Sequence, residues 1–329
     1  MNNTSAVSTR VRLARNISGF PFPNKLSEES KQKIIDLIAE AVKNADTDLT
    51  RPVRLINMTD LTREQALSLV ERRLVSHEFV SALQGRALLS DENSIHIMIN
   101  EEDHIRIQII EKNLALEDTL KKALELDNII NQKLNFSFDE TLGYLTQCPT
   151  NLGTGMRASV MLHLPALQKN KTIGRIAGNL SKLGFTIRGS YGEGTEPKGA
   201  MYQLSNQVTL GITEQAAIEN LRNITVQLIN LENSSRESFV QNIDTQDKIS
   251  RSLGILKYAK TLNLNESMEL LSNLRLGAEL NQPVGISIDE IDQLITKIQP
   301  ANIIVSRNKS MNTVEVDIAR AEIIQNSLT

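Results

Sequence analysis

Three consecutive carboxylates, Glu101, Glu102 and Asp103, are followed by His104 and, two residues on, by Arg106. Ile95, Ile97 and Ile99 alternate with polar or bulky residues before this run, and Ile105, Ile107 and Ile109 do so after it. A period of two is the pattern of paired strands with one apolar face, which leaves the acids in the loop of a β-hairpin. Acids crowded on a rigid loop suit a site that must hold and deprotonate a strongly basic group. A guanidinium, with a pKa above about 12, is such a group, and general-base help contributes on the order of 10²–10⁴-fold to rates. A solvated acidic turn would look the same in isolation.

The second chemical signal is a set of arginines. Arg10 and Arg12 lie in Ser8-Thr9-Arg10-Val11-Arg12-Leu13-Ala14-Arg15 and would share one side of an extended segment. Arg157 closes Asn151-Leu152-Gly153-Thr154-Gly155-Met156-Arg157, where glycines free the backbone to approach a ligand. Arg188 opens a second glycine-rich run with Gly189, Ser190, Tyr191, Gly192, Glu193 and Glu196. Arginine stays charged at any working pH and grips phosphate oxygens bidentately, so Arg10, Arg12, Arg106, Arg157 and Arg188 together suggest a polyanion. Singly, each is as well explained by a surface ion pair. Neither glycine run has the spacing GxxxxGK[ST] or GxGxxG, so a nucleotide here would be held without a Walker lysine.

These residues need a scaffold, and the chain is long enough to build one. Its 329 residues are 40% hydrophobic and 23% charged, ordinary for a globular protein. A net charge of −3 favours neither nucleic acid nor an anionic membrane, and 3% aromatics with no Trp remove the stacking platforms of single-strand binders. Cys148 is the sole cysteine, and there is no apolar leader or membrane-length apolar run, so a cytoplasmic protein is expected. Residues 1–7 are expected to be loose and 8–26 irregular. Strands are expected at 53–57, 94–100, 104–110, 184–189 and 200–210. Helices are expected at 28–42, after Asp60, and at 116–134, 157–162, 172–182 and 213–233. Beyond residue 234 the pattern is helical, with segments at 236–261, 265–275, 287–298 and 314–326 punctuated by Pro283 and Pro300. The expected class is α+β: an antiparallel sheet flanked by helices over 8–235, then a helical C-terminal domain over 236–329.

Four stretches carry a resemblance: STRVRLARN (8–16), INEEDHIRIQ (99–108), GYLTQCPTNLGTGMRASVMLHLPAL (143–167) and IRGSYGEGTEPKGAMYQLSNQVTLGITE (187–214). Together they closely resemble the phosphagen (ATP:guanido) kinase family, in its bacterial protein arginine kinase branch. The resemblance implies phosphoryl transfer from ATP, carried with Mg²⁺, to a guanidino group. On it, ATP would be held by Ser8, Thr9, Arg10, Val11, Arg12, His77, Arg106, Arg157, Ala158, Ser159, Val160, Met161, Arg188, Gly189, Ser190, Tyr191, Gly192 and Glu193. Glu102 would be substrate clamp and base, Cys148 the family's reactive cysteine, and Glu196 an opposing carboxylate. Glu101 and Asp103 would orient the water shell of Mg²⁺, with no dedicated protein metal cage.

Seven residues precede the first motif, where free-guanidino kinases have a helical domain with a closing loop, so a protein-borne arginine is the expected acceptor. The resemblance further implies protein substrates, a homodimer, a zinc-binding activator protein, a heat-shock repressor and a chaperone–protease complex. One departure stands out. The branch carries RDxxRA in a phosphoarginine-sensing pocket; here Val316 replaces the first arginine, leaving Asp317 and Arg320. Valine makes no bidentate contact to phosphate, so feedback by phosphoarginine is expected to be weak or lost. Two other readings stay open: a kinase of a small free guanidino compound, and a non-catalytic adaptor that works through its helical domain.

Overall fold

The computed structural model describes residues 4–45, 47–189 and 197–328. Of the segment expected to be irregular, 8–26, residues 8–15 form the middle of the sheet, while 16–26 lack regular strand or α-helix. β1 (Ala6–Arg15) pairs antiparallel with two neighbours, β5 (Ile105–Lys112) and β8 (Met156–His163). Val11 and Leu13 turn to one face and are fully buried, while Arg10 and Arg12 turn to the other. The arginines hid the alternation, because a strand is recognised by its apolar face. Residues 4–7 also depart from expectation: Ser5 and Ala6 are buried, and Ser5 accepts the backbone N–H of His163 at 2.8 Å.

The remaining strands are β2 (Arg54–Asn57), β3 (Ala87–Ser90), β4 (Ile95–Ile99), the short pair β6 (Phe138–Asp139) and β7 (Gly143–Tyr144), β9 (Phe185–Gly189) and β10 (Met201–Asn206). Eight of the ten strands among the described residues form one sheet in the order β2-β3-β4-β5-β1-β8-β10-β9, antiparallel at every pairing. The expected hairpin is β4–β5. The stretch 157–162, expected as helix, lies within β8. Met156, Ala158, Val160 and Leu162 face the core, but Met161 breaks the alternation that Arg157 and Ser159 begin on the other side, so this short run does not separate strand from helix by period.

One face of the sheet is packed by α1 (Glu28–Lys43), α4 (Leu116–Leu134) and α7 (Glu214–Val240). Ser27 caps α1 by accepting from the N–H of Ser30, and Ile34, Ile35, Ile38 and Val42 form its inward stripe. Leu116, Leu120, Ala123, Leu126 and Ile130 do the same for α4. α7 runs unbroken across the expected domain boundary at 235/236.

The opposite face is covered only at its ends. α2 (Arg63–Glu71), opened by a reciprocal Thr62–Gln65 capping box, and α3 (His77–Ser81) pack Ala66, Val75 and Phe79 on Leu88 and Met98. α5 (Pro165–Lys169) and α6 (Ile173–Lys182) pack on the first face, where Leu167, Ile173, Ile176 and Leu180 join its core, and the helical domain covers the other end of the opposite face. That domain comprises α8 (Ile243–Tyr258), α9 (Leu264–Glu279), α10 (Ile288–Lys297), α11 (Pro300–Arg307) and α12 (Thr313–Ser327), and it packs on Met161 and Met201. The two covers meet where Glu71, ending α2, accepts from the N–H groups of Ala301 and Asn302 at 3.0 and 2.9 Å and so caps α11. Between them a trough runs over β5, β1, β8 and β10. No helix among the described residues is long and apolar enough to cross a membrane.

A buried ionic cluster ties the helical domain to the end of β8. Glu279 lies 2.9 Å from Arg236, pairs with Arg275 and sits 3.4 Å from Nδ1 of His163. Arg275 also grips Asp292 through Nε at 2.8 Å and Nη2 at 3.0 Å. Burial acts to raise the Glu279 carboxyl, but His163, Arg236 and Arg275 together hold it below its usual value. Removing this anion leaves two buried guanidinium groups short of a partner. Glu279→Ala is therefore expected to lower unfolding stability in urea by about 3–5 kcal/mol. Lys248→Ala, which breaks only the exposed pair with Glu269, should leave the midpoint in place.

Candidate active site

Directly paired residues of an antiparallel sheet project to the same face. The register sets Arg12 opposite Arg157, Arg10 opposite Ser159, Ala14 opposite Arg106, and Gln203 opposite Arg188. Arg10 Nη2 donates to Gln203 Oε1 at 3.2 Å. The five arginines expected at the site thus share the floor of the trough.

Three cavities succeed one another along it. The first, about 190 Å³, lies beside Ser8 and Arg10, with Ser159, Met161 and Gln203 on the sheet side and Arg73 at its rim. The second, about 230 Å³, is walled by Arg12, Arg157, Arg106, Glu102, Cys148 and Gly155. The third, about 580 Å³, opens beyond Glu102 and Arg106, with Lys31, Glu78, Arg86 and Glu101 around it. Glu102 and Arg106 form the wall common to the second and third.

Crowding of like charge marks this floor. The Arg10 guanidinium is pushed down to about 10, by burial first and then by Arg73, Arg188, Arg106 and Arg157. Arg12 is also held well below its ordinary value, by burial and then by Arg10, Arg106 and Arg157, with Glu101 opposing. A polyanion lying along the trough would relieve this repulsion.

The hairpin loop sorts its three acids. Asp103 is fully buried; its Oδ1 accepts from Asn16 Nδ2 at 2.7 Å and from the N–H of Gln147 at 2.8 Å. His104 is fixed on both ring nitrogens, with Nδ1 accepting from the N–H of Ile17 at 3.0 Å and Nε2 2.8 Å from the carbonyl of Pro21. Glu101 is buried against Arg106 at 2.7 Å and accepts from Ser76 Oγ at 2.5 Å. Asp103 and Glu101 are thereby committed to holding the loop, against the expectation that they face the water shell of a metal. Glu102 alone points outward, its side chain 37% exposed and 3.1 Å from Arg106. Burial raises its carboxyl above the usual range; Arg106 opposes this, while Asp103 and Glu101 add to it.

Other expected site residues fall elsewhere. Thr9, Val11, Ala158 and Val160 point their side chains to the core face and reach the trough only through backbone. His77 is exposed at the start of α3 and lines none of these three cavities. Arg73 stands at the first cavity instead, at the end of α2 with φ of 63°. Basic residues are ordinary at a helix C-terminus, so nothing in the residue order marks Arg73. Gly189 ends β9, while Ser190, Tyr191, Gly192, Glu193 and Glu196 lie outside the described residues. Cys148 is part-exposed, with Sγ 3.0 Å from the hydroxyl of Thr150. Gly153 and Gly155 serve backbone packing: a Cβ on Gly153 would meet the Thr209 carbonyl at 2.2 Å, and one on Gly155 the Ala14 carbonyl at 2.7 Å. Arg320 is buried, donating to the carbonyls of Ile298 at 2.9 Å and Leu262 at 2.7 Å and pairing with Asp317. Val316 packs with Ile303 and Ala319. The degenerate RDxxRA segment is thus a packing unit.

The charge crowding can be tested without any reaction. Tripolyphosphate should raise the thermal midpoint of the protein, and Arg12→Gln should weaken that binding about 10- to 100-fold, the worth of one charge-assisted hydrogen bond. The ligand-free midpoint of Arg12→Gln should be no lower than that of the unaltered protein.

The chain is similar to known proteins along its length. Residues 33–235 match the family model of the ATP:guanido phosphotransferase C-terminal catalytic domain, and 242–329 that of the protein-arginine kinase McsB C-terminal domain. A protein-arginine kinase of Caldanaerobacter subterraneus subsp. tengcongensis is 41% identical over 98% of this chain and 96% of its own. One from Clostridium novyi is 40% identical over 100% of this chain and 97% of its own. Among solved structures, the substrate-free duplicated taurocyamine kinase of Schistosoma mansoni superposes with a TM-score of 0.62 at 28% identity, covering 77% of this chain and 38% of that one. A lombricine kinase does so with a TM-score of 0.63 at 25% identity, over 74% of this chain and 70% of its own. With an arginine-floored trough, an outward hairpin glutamate and relatives along its whole length, the chain belongs to the ATP:guanido phosphotransferase family, in the branch of the protein-arginine kinases.

Proposed function

We propose that this protein transfers the γ-phosphoryl group of ATP to arginine side chains of proteins, giving ADP and Nω-phosphoarginine. The observation that carries this is the shared wall of Glu102 and Arg106 between an arginine-lined cavity and a wider one open to a side chain from outside. The triphosphate lies over Arg10, Arg12, Arg157 and Arg188, and the acceptor guanidinium enters from the third cavity. Phosphoryl transfer asks little covalent chemistry of a protein; it asks for alignment and positive charge around the moving group. Glu102 orients the guanidinium and takes its proton as the N–P bond forms and the bond to the β-phosphate oxygen breaks. Cys148, which lines the second cavity with Glu102, stabilises the guanidinium where it meets the phosphates.

Mg²⁺ carried with ATP would supply further positive charge to the phosphates. It fits here as an ion carried by the nucleotide: Mg²⁺ keeps water and phosphate ligands, and Glu101 is already paired with Arg106. Exposed apolar residues on the helical domain, including Ile243, Tyr258 and Val314, support self-association or docking of partner proteins there.

Mass spectrometry after incubation with MgATP and an unfolded basic protein should find acid-labile phosphate on arginine; label confined to free arginine would refute the acceptor assignment. Glu102→Gln should cut turnover about 10²–10⁴-fold while nucleotide still binds. A base must be ionised to act, and this carboxyl is raised. Activity should therefore fall as pH drops through a midpoint above the ordinary carboxylate value, and that acid limb should vanish in Glu102→Gln. Titration with free phosphoarginine should give no cooperative activation, because Val316 and Arg320 are packed inside the domain.

A further inference from the structure

We infer that the helical C-terminal domain is part of the nucleotide site: Asp292, Ile295 and Thr296 of α10 form the outer wall of the nucleoside end. The inference rests on the ATP reading above and extends it beyond the catalytic-domain segment. The first cavity adjoins Arg10, with Arg72 and Arg73 at its edge, so a triphosphate lying over Arg10, Arg12 and Arg157 would project its sugar and base into it. Its sheet side sets Val7, Ile110, Met161 and Met201 among Ser8, Arg10, Ser159 and Gln203. That surface suits the face of a heteroaromatic base. The far wall comes from α10.

Residues four apart on a helix share a face, so Asp292 and Thr296 stand one turn apart, with Ile295 beside them. Ile295 continues the apolar lining opposite the sheet, while Asp292 and Thr296 offer an acceptor and a hydroxyl to sugar hydroxyls or an exocyclic amine. Asp292 is well suited to this. Arg275 holds it through two hydrogen bonds, at 2.8 and 3.0 Å, which fixes its orientation and offsets its charge. A carboxylate has about four lone-pair positions, so capacity remains for a ligand. Arg275 is itself anchored by Glu279 and by the carbonyl of Thr4 at 2.9 Å. On the other side, the Thr296 carbonyl accepts from Asn302, whose backbone N–H is held by Glu71. The wall is therefore a fixed surface, and its position depends on docking of the whole helical domain.

A ligand that binds only the docked arrangement stabilises it by mass action, so nucleotide and helical domain should hold one another in place. The test uses the full-length protein. Thr296→Trp, which fills the cavity from the α10 side, is expected to weaken MgADP binding in calorimetry by about tenfold or more. The loss should appear in KM for ATP and spare KM for the acceptor protein, and Thr296→Val should bind far closer to the unaltered protein. Independently of any variant, MgADP should slow hydrogen exchange at the amides of α10. Binding of MgADP that is equal in the unaltered protein and Thr296→Trp, with α10 exchange unchanged, overturns the inference and leaves the kinase reading standing. Failure of the unaltered protein to bind MgADP overturns both.

Discussion

Repulsion among Arg10, Arg12, Arg106 and Arg157 is the constraint around which the rest of the molecule is arranged. Arg12 and Arg157 face each other across adjacent strands, a placement that disfavours the pairing. Two such charges about 6 Å apart repel by about 3 kcal/mol at an effective dielectric near 20. The opposite face resists. Val11, Leu13, Ile105, Ile107, Ile109, Ala158 and Val160 are fully buried there, and each of the larger aliphatic side chains contributes about 1.5–3 kcal/mol. A slip of one residue would turn every one of them toward the trough. The apolar face thus locks a register that the polar face, left alone, would abandon.

The same logic of opposed demands shapes the hairpin loop. Three acids in a row would repel one another and titrate together if they pointed the same way. Asn16 and the backbone of Gln147 hold Asp103 inward, and Arg106 and Ser76 engage Glu101. His104, fixed at both ring nitrogens, pins the following turn to residues 17 and 21. What remains is a single raised carboxyl at the wall between two cavities. Burial raises it first, and the nearby Asp103 and Glu101 add to that.

The helical domain is joined to the catalytic sheet at both sides of the trough. One join is the buried cluster of His163, Glu232, Arg236, Arg275 and Glu279; the other is Glu71 capping α11. Burial raises the Glu71 carboxyl, and the two N–H groups it receives work against that. Because Arg73 follows two residues after Glu71, the clasp also fixes the chain that brings a further positive charge to Arg10. Arg320 anchors α12 to the ends of its neighbours within this domain, so the segment that resembles a sensing motif serves as a joint.

Much of this was legible in the order of residues. The isoleucine alternation gave β4, β5 and the acidic loop between them, and the amphipathic stripes gave α1 and α4 nearly to the residue. The motif arginines could be named as partners before any strand was placed. β1 and β8 escaped for physical reasons: in one, arginines on the trough side draw the eye from an alternation carried by Val11 and Leu13, and in the other Met161 on the trough side blurs the period of two. That Arg12 lies opposite Arg157, that Glu102 rather than Glu101 faces outward, and that Arg73 instead of His77 reaches the first cavity depend on strand register and on how α2 meets α11. Local sequence encodes which face a residue prefers. Which distant residue it meets there is settled by burying all those faces at once, a condition that no single segment contains.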